Sequence, residues 1–300
     1  MTVLTPTYNR AHTLPRLYES LVAQTFTDFE WVVVDDGSED DTAGLLHAWS
    51  RGQDIQVHAA RQNNLGQFAA VNLGLEHARG EFTTIVDSDD WLPPDSLATL
   101  FRRWREIPSE VRAQFSGIVG LCATPGGRVI GDPFPSDPLD CDAIELIYRY
   151  RIEGDKHSLL RTQVMREYPF PAGGTWAYVT PQLVWNRMAL RYRERHVNDI
   201  VKFVDYQAGG LSDSWLELAV RSPTYIRLFF SEEAQLPHSI TRGRRVKARV
   251  NYARFSFHAD AGLWRQFIEA PSRVWWPVLA PLGYALAMRD RRRLLRRSTD

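Results

Sequence analysis

The stretch that decides the fold is Phe82-Thr-Thr-Ile-Val-Asp-Ser-Asp-Asp-Trp91, a short apolar strand that leads directly into three aspartates. Carboxylates this close repel one another unless a cation neutralises them. Mg²⁺ and Mn²⁺ prefer oxygen ligands and share their coordination sphere with substrate phosphates. We therefore interpret Asp87 and Asp89 as a platform for a metal ion and a diphosphate. The alternative is an Asx turn that caps a helix beginning near Pro93-Pro-Asp95, because Asp and Ser are favoured at that position.

A second acidic strand end strengthens the first interpretation. The segment Glu30-Trp-Val-Val-Val-Asp-Asp-Gly-Ser38 is an apolar strand that ends in Asp35 and Asp36. The strand Thr2 to Thr5 is followed by Pro6-Thr-Tyr-Asn-Arg10. In open α/β sheets, ligands bind along the edge formed by the carboxyl ends of the strands. We expect all three strand ends to meet there.

Helical patterns separate these strands. Apolar residues recur at helical spacing in Leu14 to Gln24, in Asp41 to Ser50 and in Gln67 to Ala78. Strands that alternate with helices indicate a mostly parallel sheet with right-handed crossovers. The fold class predicted from the sequence is therefore α/β, with helices flanking one sheet.

These residues resemble the inverting glycosyltransferases of family 2, which have the GT-A fold. The motifs occur in the family's order and read Pro6-Thr-Tyr-Asn9, Asp35-Asp-Gly-Ser38, Asn64 to Gly74, Ala78 to Glu81, and Asp87-Ser-Asp89. The likeness extends over residues 2 to 215. It implies a GT-A (Rossmann-like) fold, a nucleotide-sugar donor, and Mn²⁺ or Mg²⁺ as cofactor.

The resemblance also implies roles for individual residues. Thr7 and Tyr8 are expected to pack on the nucleotide base, and Asp36 to accept a hydrogen bond from a uracil-type N–H, which favours UDP-sugars. Asp87 is expected nearest the ribose, and Asp89 is the expected metal ligand.

The neighbouring Asn9, Arg10 and Ser88 complete the nucleotide-sugar-binding set that the resemblance implies, while Asp90 is either a supporting residue or a helix cap. Arg61 is expected to reach the diphosphate, although a surface charge is an equal alternative.

A catalytic base is harder to assign. An inverting transfer needs a base, normally Asp or Glu, that removes the proton of the acceptor hydroxyl. The family carries it shortly before a helix, where this chain reads Tyr178-Val-Thr-Pro-Gln182 without a carboxylate. We predict Asp155 as the substitute and His157 as a weaker one, because His titrates near neutrality. The plainer alternatives are a turn residue and a satisfied polar residue.

A second departure from similar sequences is Gln67, which stands where that branch of the family often carries Lys. Arg61 and Arg161 remain as possible sources of positive charge for a phosphate, since Arg binds phosphate through two hydrogen bonds. Arg161 is equally compatible with an exposed helix charge.

The length of 300 residues and the 44% hydrophobic content suit a large core with an appended unit. We predict a nucleotide-sugar-binding half at 1–110, an acceptor-binding half at 111–215 and a helical extension at 216–300. The formal net charge is zero, so we predict no nucleic-acid partner. The two cysteines form no CxxC pair, and Met1 leads directly into the first strand, which favours a cytoplasmic protein without a disulfide or a signal peptide.

The extension is basic and apolar. Its apolar residues recur at spacings of three and four in one helical stripe, namely Val246, Val250, Ala253, Phe257, Ala261, Trp264 and Ile268. The tail from Val274 to Met288 is too short and interrupted to span a bilayer, which needs about 20 residues. Together with the arginines it suits attachment of 244–297 to the anionic inner face of the plasma membrane. A helix packed on the catalytic domain and a homodimer remain alternatives.

The sequence therefore predicts a metal-dependent inverting glycosyltransferase that moves a sugar from a nucleotide-diphosphate donor to a carbohydrate or lipid-linked acceptor. Synthesis of a bacterial surface polysaccharide or a lipid-linked glycan is the expected context. A sugar-phosphate nucleotidyltransferase would need a glycine-rich loop that Pro6 to Arg10 lacks. A degenerate relative that binds nucleotide-sugar or scaffolds a membrane assembly remains the alternative, because of Gln182.

Overall fold

The computed structural model of the protein describes residues 1–171, 178–205, 215–237 and 240–297. The strands are β1 (Thr2–Thr7), β2 (Glu30–Asp35), β3 (Gln56–Arg61), β4 (Phe82–Ile85), β5 (Phe115–Ala123), β6 (Leu139–Cys141), β7 (Lys156–Arg161) and β8 (Arg193–Phe203). The helices are α1 (Leu14–Val22), α2 (Thr42–Trp49), α3 (Gln67–His77), α4 (Ser96–Arg105), α5 (Ala143–Tyr148), α6 (Thr162–Glu167), α7 (Gln182–Ala189), α8 (Trp215–Arg221), α9 (Pro223–Glu233), α10 (Arg242–His258), α11 (Leu263–Ile268) and α12 (Trp276–Arg297).

The strands form an eight-stranded sheet in the order β3-β2-β1-β4-β7-β5-β8-β6. The pairs β1–β2, β2–β3, β1–β4 and β5–β8 are parallel, and the pairs β4–β7, β5–β7 and β6–β8 are antiparallel. The predicted α/β fold with a mostly parallel sheet is confirmed. The helices predicted before β4 correspond to α1, α2 and α3.

Burial explains why these segments form these elements. All residues of β1 and β2 are buried, as expected for parallel strands covered on both faces. In α1, Leu14, Leu17 and Leu21 lie on one face and pack in the same core as Val3 and Trp31. The strands are thereby held with their ends in register along one edge of the sheet.

The topology decides which chain segments reach that edge. Because β4 is parallel to β1 and β2, the carboxyl ends of the three strands lie on the same side. Since β7 is antiparallel to β4, the beginning of β7 lies there too. The end of β8 joins them, because Trp91 and Phe203 exchange backbone hydrogen bonds of 3.2 and 2.8 Å.

The chain divides into two compact units, one with residues 1–176 and 187–206 and one with residues 177–186 and 207–300. The division at 110, 215 and 216 stays a prediction. Residues 206–214, at the end of the segment 2–215 that resembles family 2, lie outside the described residues.

The prediction of one continuous helical stripe from Val246 to Ile268 is wrong. The helix α10 ends at His258, and a turn with Asp260 at a positive φ of 48° separates it from α11. A left-handed residue cannot continue a right-handed helix. As a result, Trp264 is 73% exposed instead of continuing a buried stripe. Within the described helices, none is both long and apolar enough to cross a bilayer.

Candidate functional site

The loop after β1 is tied to the turn after β2. Asn9 adopts a positive φ of 53°, a conformation that Asn tolerates better than most residues. Its backbone N–H donates to Ser38 Oγ at 2.8 Å, and its Oδ1 accepts from the Glu39 N–H at 2.8 Å. Tyr8, just before it, is 39% exposed, whereas Thr7 is buried. Of the two residues expected at the nucleotide base, Thr7 is the last residue of β1, and Tyr8 follows it with its side chain partly open to solvent.

Asp36 organises the loop that precedes α3. Its carboxylate accepts hydrogen bonds from Gln62 Nε2 at 2.7 Å, from Leu65 N at 2.7 Å and from Gly66 N at 2.8 Å. Of the roughly four acceptor sites of a carboxylate, these three bonds use most, and the side chain of Asp36 is buried. The structure thus gives Asp36 a local role that the sequence did not indicate.

Arg61 pairs with Asp35 rather than standing free. The two residues face each other across β2 and β3, and Arg61 NH1 lies 2.6 Å from Asp35 Oδ2. Its NH2 group donates to the carbonyl of Ser38 at 2.8 Å. This guanidinium therefore fixes the turn after β2, while 52% of its side chain stays exposed.

The aspartates after β4 form the centre of the site. Asp87 accepts a hydrogen bond from Gln67 Nε2 at 2.8 Å, and its carbonyl accepts from the Asp90 N–H in a tight turn. The carboxylate of Asp89 lies 3.9 Å from Arg10 NH2. Ser88, between them, is buried. The structure therefore brings Arg10, Gln67 and the aspartates to the same strand end.

The backbone of this turn is held from a helix. Arg16 NH2 donates to the Asp89 carbonyl at 2.6 Å, and its guanidinium carbon lies 3.9 Å above the Trp91 ring. Its NH1 also pairs with Asp205 at 2.9 Å. Because Arg16 stacks on Trp91 and also contacts the Asp89 carbonyl and Asp205, it limits the motion of the turn that carries Asp89.

Lys202 is the residue that the sequence interpretation missed. It is 7% exposed, and its Nζ lies 2.5 Å from Asp90 Oδ2 and 4.0 Å from Asp87 Oδ2. Lys is rarely buried without a partner. A single Lys within the otherwise apolar end of β8, Ile200-Val-Lys-Phe203, was the available signal.

The carboxylates of this cluster outnumber the cation buried with them. Burial raises the pKa of Asp90 to about 7, with Lys202 opposing. Burial also raises the pKa of Asp87, although part of its side chain reaches solvent. The positive charge of Lys202 lowers that pKa, and the negative charges of Asp89 and Asp155 raise it. Burial lowers the pKa of Lys202, but Asp87 and Asp90 outweigh that effect and raise it overall. The site would accept additional positive charge.

Carboxylate oxygens suit a hard divalent cation. Among the described residues, no three His, Cys, Asp or Glu side chains converge closely enough to hold a metal by themselves. This donor set fits an ion that completes its coordination with phosphate oxygens and water, as Mg²⁺ and Mn²⁺ commonly do. Among the three aspartates of this turn, Asp87 and Asp90 lie near the buried Lys202, whereas Asp89 lies near Arg10.

Asp155 and His157 differ sharply in their surroundings. Asp155 is exposed at the start of β7, on the edge where β4 ends, and its charge acts on Asp87. His157 is buried, with Nε2 bonded to Thr84 Oγ1 at 2.8 Å. Burial and then Lys202 hold the pKa of His157 well below its usual value. His157 is thus a satisfied core residue, the plainer of the two alternatives.

Known proteins with similar sequences bear on this site. Residues 2–120 match the family described as Glycosyl transferase family 2. The resemblance to family 2 is confirmed. The matched segment ends inside β5, so it contains β1 to β4, the loop after β1 and the two acidic turns after β2 and β4.

Curated relatives match about a third of the chain. One is a GalNAc(5)-diNAcBac-PP-undecaprenol beta-1,3-glucosyltransferase of Campylobacter jejuni, which is 36% identical over 107 residues, covering 35% of this chain and 35% of that protein. The chain spans between 16% and 37% of the length of the first curated relatives that it matches.

Solved structures extend the likeness to almost the whole fold. Staphylococcus aureus TarS 1–349, solved in complex with UDP-GlcNAc, aligns with a TM-score of 0.60 at 18% identity over 97% of this chain and 91% of that one. The mannosyltransferase PcManGT from Pyrobaculum calidifontis, in complex with GDP-Man and Mn²⁺, gives a TM-score of 0.56 at 19% identity over 96% and 86%. This likeness shows a GT-A fold.

The family 2 resemblance makes the absence of an acidic residue at Gln182 informative. In α7 the Gln182 amide donates to Asn186 Oδ1 at 2.7 Å, and the preceding Thr180 carbonyl accepts from the Leu183 N–H. An amide cannot accept a proton at neutral pH. Gln182 therefore bonds within α7, and its amide cannot serve as a base.

Proposed function

We propose that the protein is a metal-dependent inverting glycosyltransferase that transfers a sugar from a nucleotide-diphosphate donor to an acceptor hydroxyl. One observation carries the proposal. Asp87, Asp89 and Asp90 cluster with Lys202 and Arg10 where β4 ends, within a segment that matches family 2. Ligands of open α/β sheets bind at that edge.

The nucleotide would lie along the loops after β1 and β2. We expect Thr7 and Tyr8 to pack on the base, with Asn9 shaping that loop. Asp36 would accept a hydrogen bond from an N–H of uracil. We favour a UDP-sugar, and the TarS structure in complex with UDP-GlcNAc supports a donor of that class.

The diphosphate would lie next to Asp89. We assign Asp89 as the ligand of Mn²⁺ or Mg²⁺ and Asp87 and Ser88 as neighbours of the ribose. When bound, the ion would act as a Lewis acid that stabilises the leaving diphosphate. Arg10, whose NH2 lies 3.9 Å from Asp89, would contribute positive charge to the same phosphates.

The chemistry is a single displacement. The acceptor hydroxyl oxygen forms a bond to the anomeric carbon as the bond from that carbon to the diphosphate breaks, and a base takes the hydroxyl proton. We propose Asp155 as that base, because it is an exposed carboxylate at the same sheet edge as Asp87. His157 is excluded from this role by its buried bond to Thr84.

The acceptor is proposed to be a carbohydrate or a lipid-linked glycan of a bacterial surface polymer. The name of the Campylobacter jejuni relative includes a polyprenol-linked glycan, and TarS of Staphylococcus aureus is named a poly(ribitol-phosphate) beta-N-acetylglucosaminyltransferase, which supports this class. We place the reaction in the cytoplasm, at the inner face of the plasma membrane for a lipid-linked acceptor.

Calorimetric titration with UDP, GDP and dTDP, each with and without Mn²⁺, tests the donor assignment. We expect one nucleotide to bind, and Mn²⁺ to strengthen its binding, because phosphate oxygens complete the coordination sphere. Binding that is independent of Mn²⁺ would contradict the metal assignment. A chain that binds none of the three would contradict the donor site.

Gln182 favours a second candidate, a nucleotide-sugar-binding protein without turnover. Hydrolysis of the matching nucleotide-sugar without acceptor separates the two, since only an enzyme releases the nucleotide over time. Asp155→Asn should slow donor turnover while nucleotide binding stays unchanged. Exposed Asp41→Asn is the matched control.

A further inference from the structure

The final two helices expose an unusual share of large apolar side chains. Trp264 is 73% exposed, Val274 81%, Val278 67% and Leu282 52%. Isolated exposed apolar residues are normal, but a concentration of them marks a binding surface. The remaining exposed large apolar residues of this region are Leu263, Ile268, Trp275, Tyr284 and Leu295.

One face of α12 is fixed against α10. Ala280, Ala287 and Asp290 are buried, and a Cβ at Gly283 would lie 2.6 Å from the Ala253 Cβ, so small residues allow close helix contact. Asp290 accepts two hydrogen bonds from Arg254, at 2.6 and 2.7 Å. Because these contacts set the rotation of α12, the residues on its opposite side are fixed too.

That opposite side changes character along its length. Steps of three and four residues link its exposed members, which we call the outer face of α12: Val278, Leu282, Ala285, Arg289, Arg292 and Arg293. Its first two turns are apolar, and its following turns are basic. Trp264 and Trp275 add exposed aromatic rings in α11 and just before α12.

The charge around this surface is strongly positive. Residues 242–297 contain 13 Arg and one Lys, hence 14 basic residues, against only three acidic ones. Each of the three acidic side chains is already paired: Asp260 with Arg291, Glu269 with Arg227 and Arg265, and Asp290 with Arg254. The surface therefore offers apolar groups and cations without exposed unpaired anions.

We propose that α11 and the outer face of α12 bind the surface of an anionic phospholipid bilayer. The apolar side chains and the tryptophans would enter the boundary between headgroups and acyl chains, and Arg289, Arg292 and Arg293 would contact lipid phosphates. Trp is favoured at such interfaces because its ring has an apolar body and one N–H donor.

A second copy of the chain fits this surface less well. Symmetric dimers bring the same patch of both copies together, and protein interface cores are depleted of charge. Here a parallel contact of two outer faces would bring arginines toward arginines, and an antiparallel one would cover the apolar turns with arginines. The acidic side chains of residues 242–297 are already paired and would not neutralise them. Like charges disfavour such a contact, whereas an anionic bilayer is complementary to it.

Co-sedimentation of the full chain with vesicles tests this surface without reference to transfer activity. We expect binding to vesicles of phosphatidylcholine mixed with phosphatidylglycerol and much weaker binding to phosphatidylcholine alone. The triple variant Arg289→Gln, Arg292→Gln, Arg293→Gln should lose about fivefold in affinity for each Arg removed. The double variant Val278→Ser, Leu282→Ser should lose about tenfold or more.

Matched controls place equal changes on other exposed sites. Leu190→Ser removes an apolar side chain that is 63% exposed, and the triple variant Arg51→Gln, Arg105→Gln, Arg128→Gln removes three other exposed charges. Both controls should bind vesicles like the parent. Equal loss in the controls would overturn the proposal. The proposal would also be overturned if the parent chain bound no vesicles. If, in addition, the variant Val278→Ser, Leu282→Ser changed a dimer into a monomer in light scattering, the surface would be a dimer interface.

Discussion

The acidic turns of the family 2 segment and the helices α10 to α12 differ in how far their charged side chains are paired within the chain. In the turns, the chain partly pairs its own charges, as Arg61 with Asp35 and Lys202 with Asp90. In the helices, arginines and apolar side chains remain exposed on one face. The difference teaches that paired charges suit the first region to the proposed small charged donor, whereas the unpaired surface of the second suits the proposed bilayer.

The largest expected effect comes from removing the buried cation of the first region. Lys202→Met leaves Asp90 buried without its partner, and breaking a buried ion pair from one side lowers the free energy of unfolding by about 3–5 kcal/mol. Urea denaturation measures this change. Exposed Lys247→Met, in α10, should change it by less than about 0.5 kcal/mol.

A double variant sharpens the reading of Lys202. In Lys202→Met, Asp90→Asn no buried carboxylate faces the vacated position, so part of the lost stability should return. If Lys202→Met alone changed the free energy of unfolding by less than about 1 kcal/mol, the pair would behave like a surface salt bridge. The contrast between the two regions would then fail.

The next effect falls on activity and not on stability. Asp89→Asn should slow donor turnover by about 10²- to 10³-fold, because the proposed metal would lose its protein ligand. The free energy of unfolding should stay near the parent value, since Asp89 lacks a buried partner such as Lys202. Asp95→Asn, an exposed aspartate at the start of α4, is the control. Equal turnover in Asp89→Asn and the parent would remove Asp89 from the site.

Local patterns predicted the part of the site that depends on a single strand end. Asp87 and Asp89 follow β4 directly, so the carboxyl edge of a parallel sheet was enough to place them. The same reasoning placed Asp35 and Asp36 after β2. The pairing of Asp35 with Arg61 depends on the register of β2 and β3, which their sequences do not specify.

Lys202 could not be placed because its position depends on long-range pairing. The strand β8 pairs with β5 through several register shifts, and its end also forms a bridge between Trp91 and Phe203. A shift of one residue would turn Lys202 to the other face of the sheet. The prediction of one helical stripe from Val246 to Ile268 was wrong for a local reason. The positive φ of Asp260 ends the helix, although the helical spacing of apolar residues continues beyond it.

A smaller effect tests whether α12 is held as closely as its exposed face requires. Gly283→Ala adds a Cβ 2.6 Å from the Ala253 Cβ and 2.8 Å from the Arg254 backbone nitrogen. Overpacking of this kind lowers stability by about 1–3 kcal/mol. Gly243→Ala in α10 meets nothing within 4 Å and should raise stability by about 0.5–1 kcal/mol. Thermal unfolding of both variants should therefore shift in opposite directions, and a shared direction would contradict the packing of α12 on α10.

The smallest effect on stability is expected on the outer face of α12. Val278→Ser with Leu282→Ser should change the free energy of unfolding by no more than about 0.5 kcal/mol, because side chains exposed in the folded chain lose little when shortened. Nucleotide binding should also match the parent, since neither residue belongs to the proposed donor site. A loss of more than about 1 kcal/mol in urea denaturation would show that these side chains are packed, since it exceeds what exposed positions give. Unchanged stability together with lost vesicle binding would instead separate the two regions by function, because one surface would then serve only an external partner.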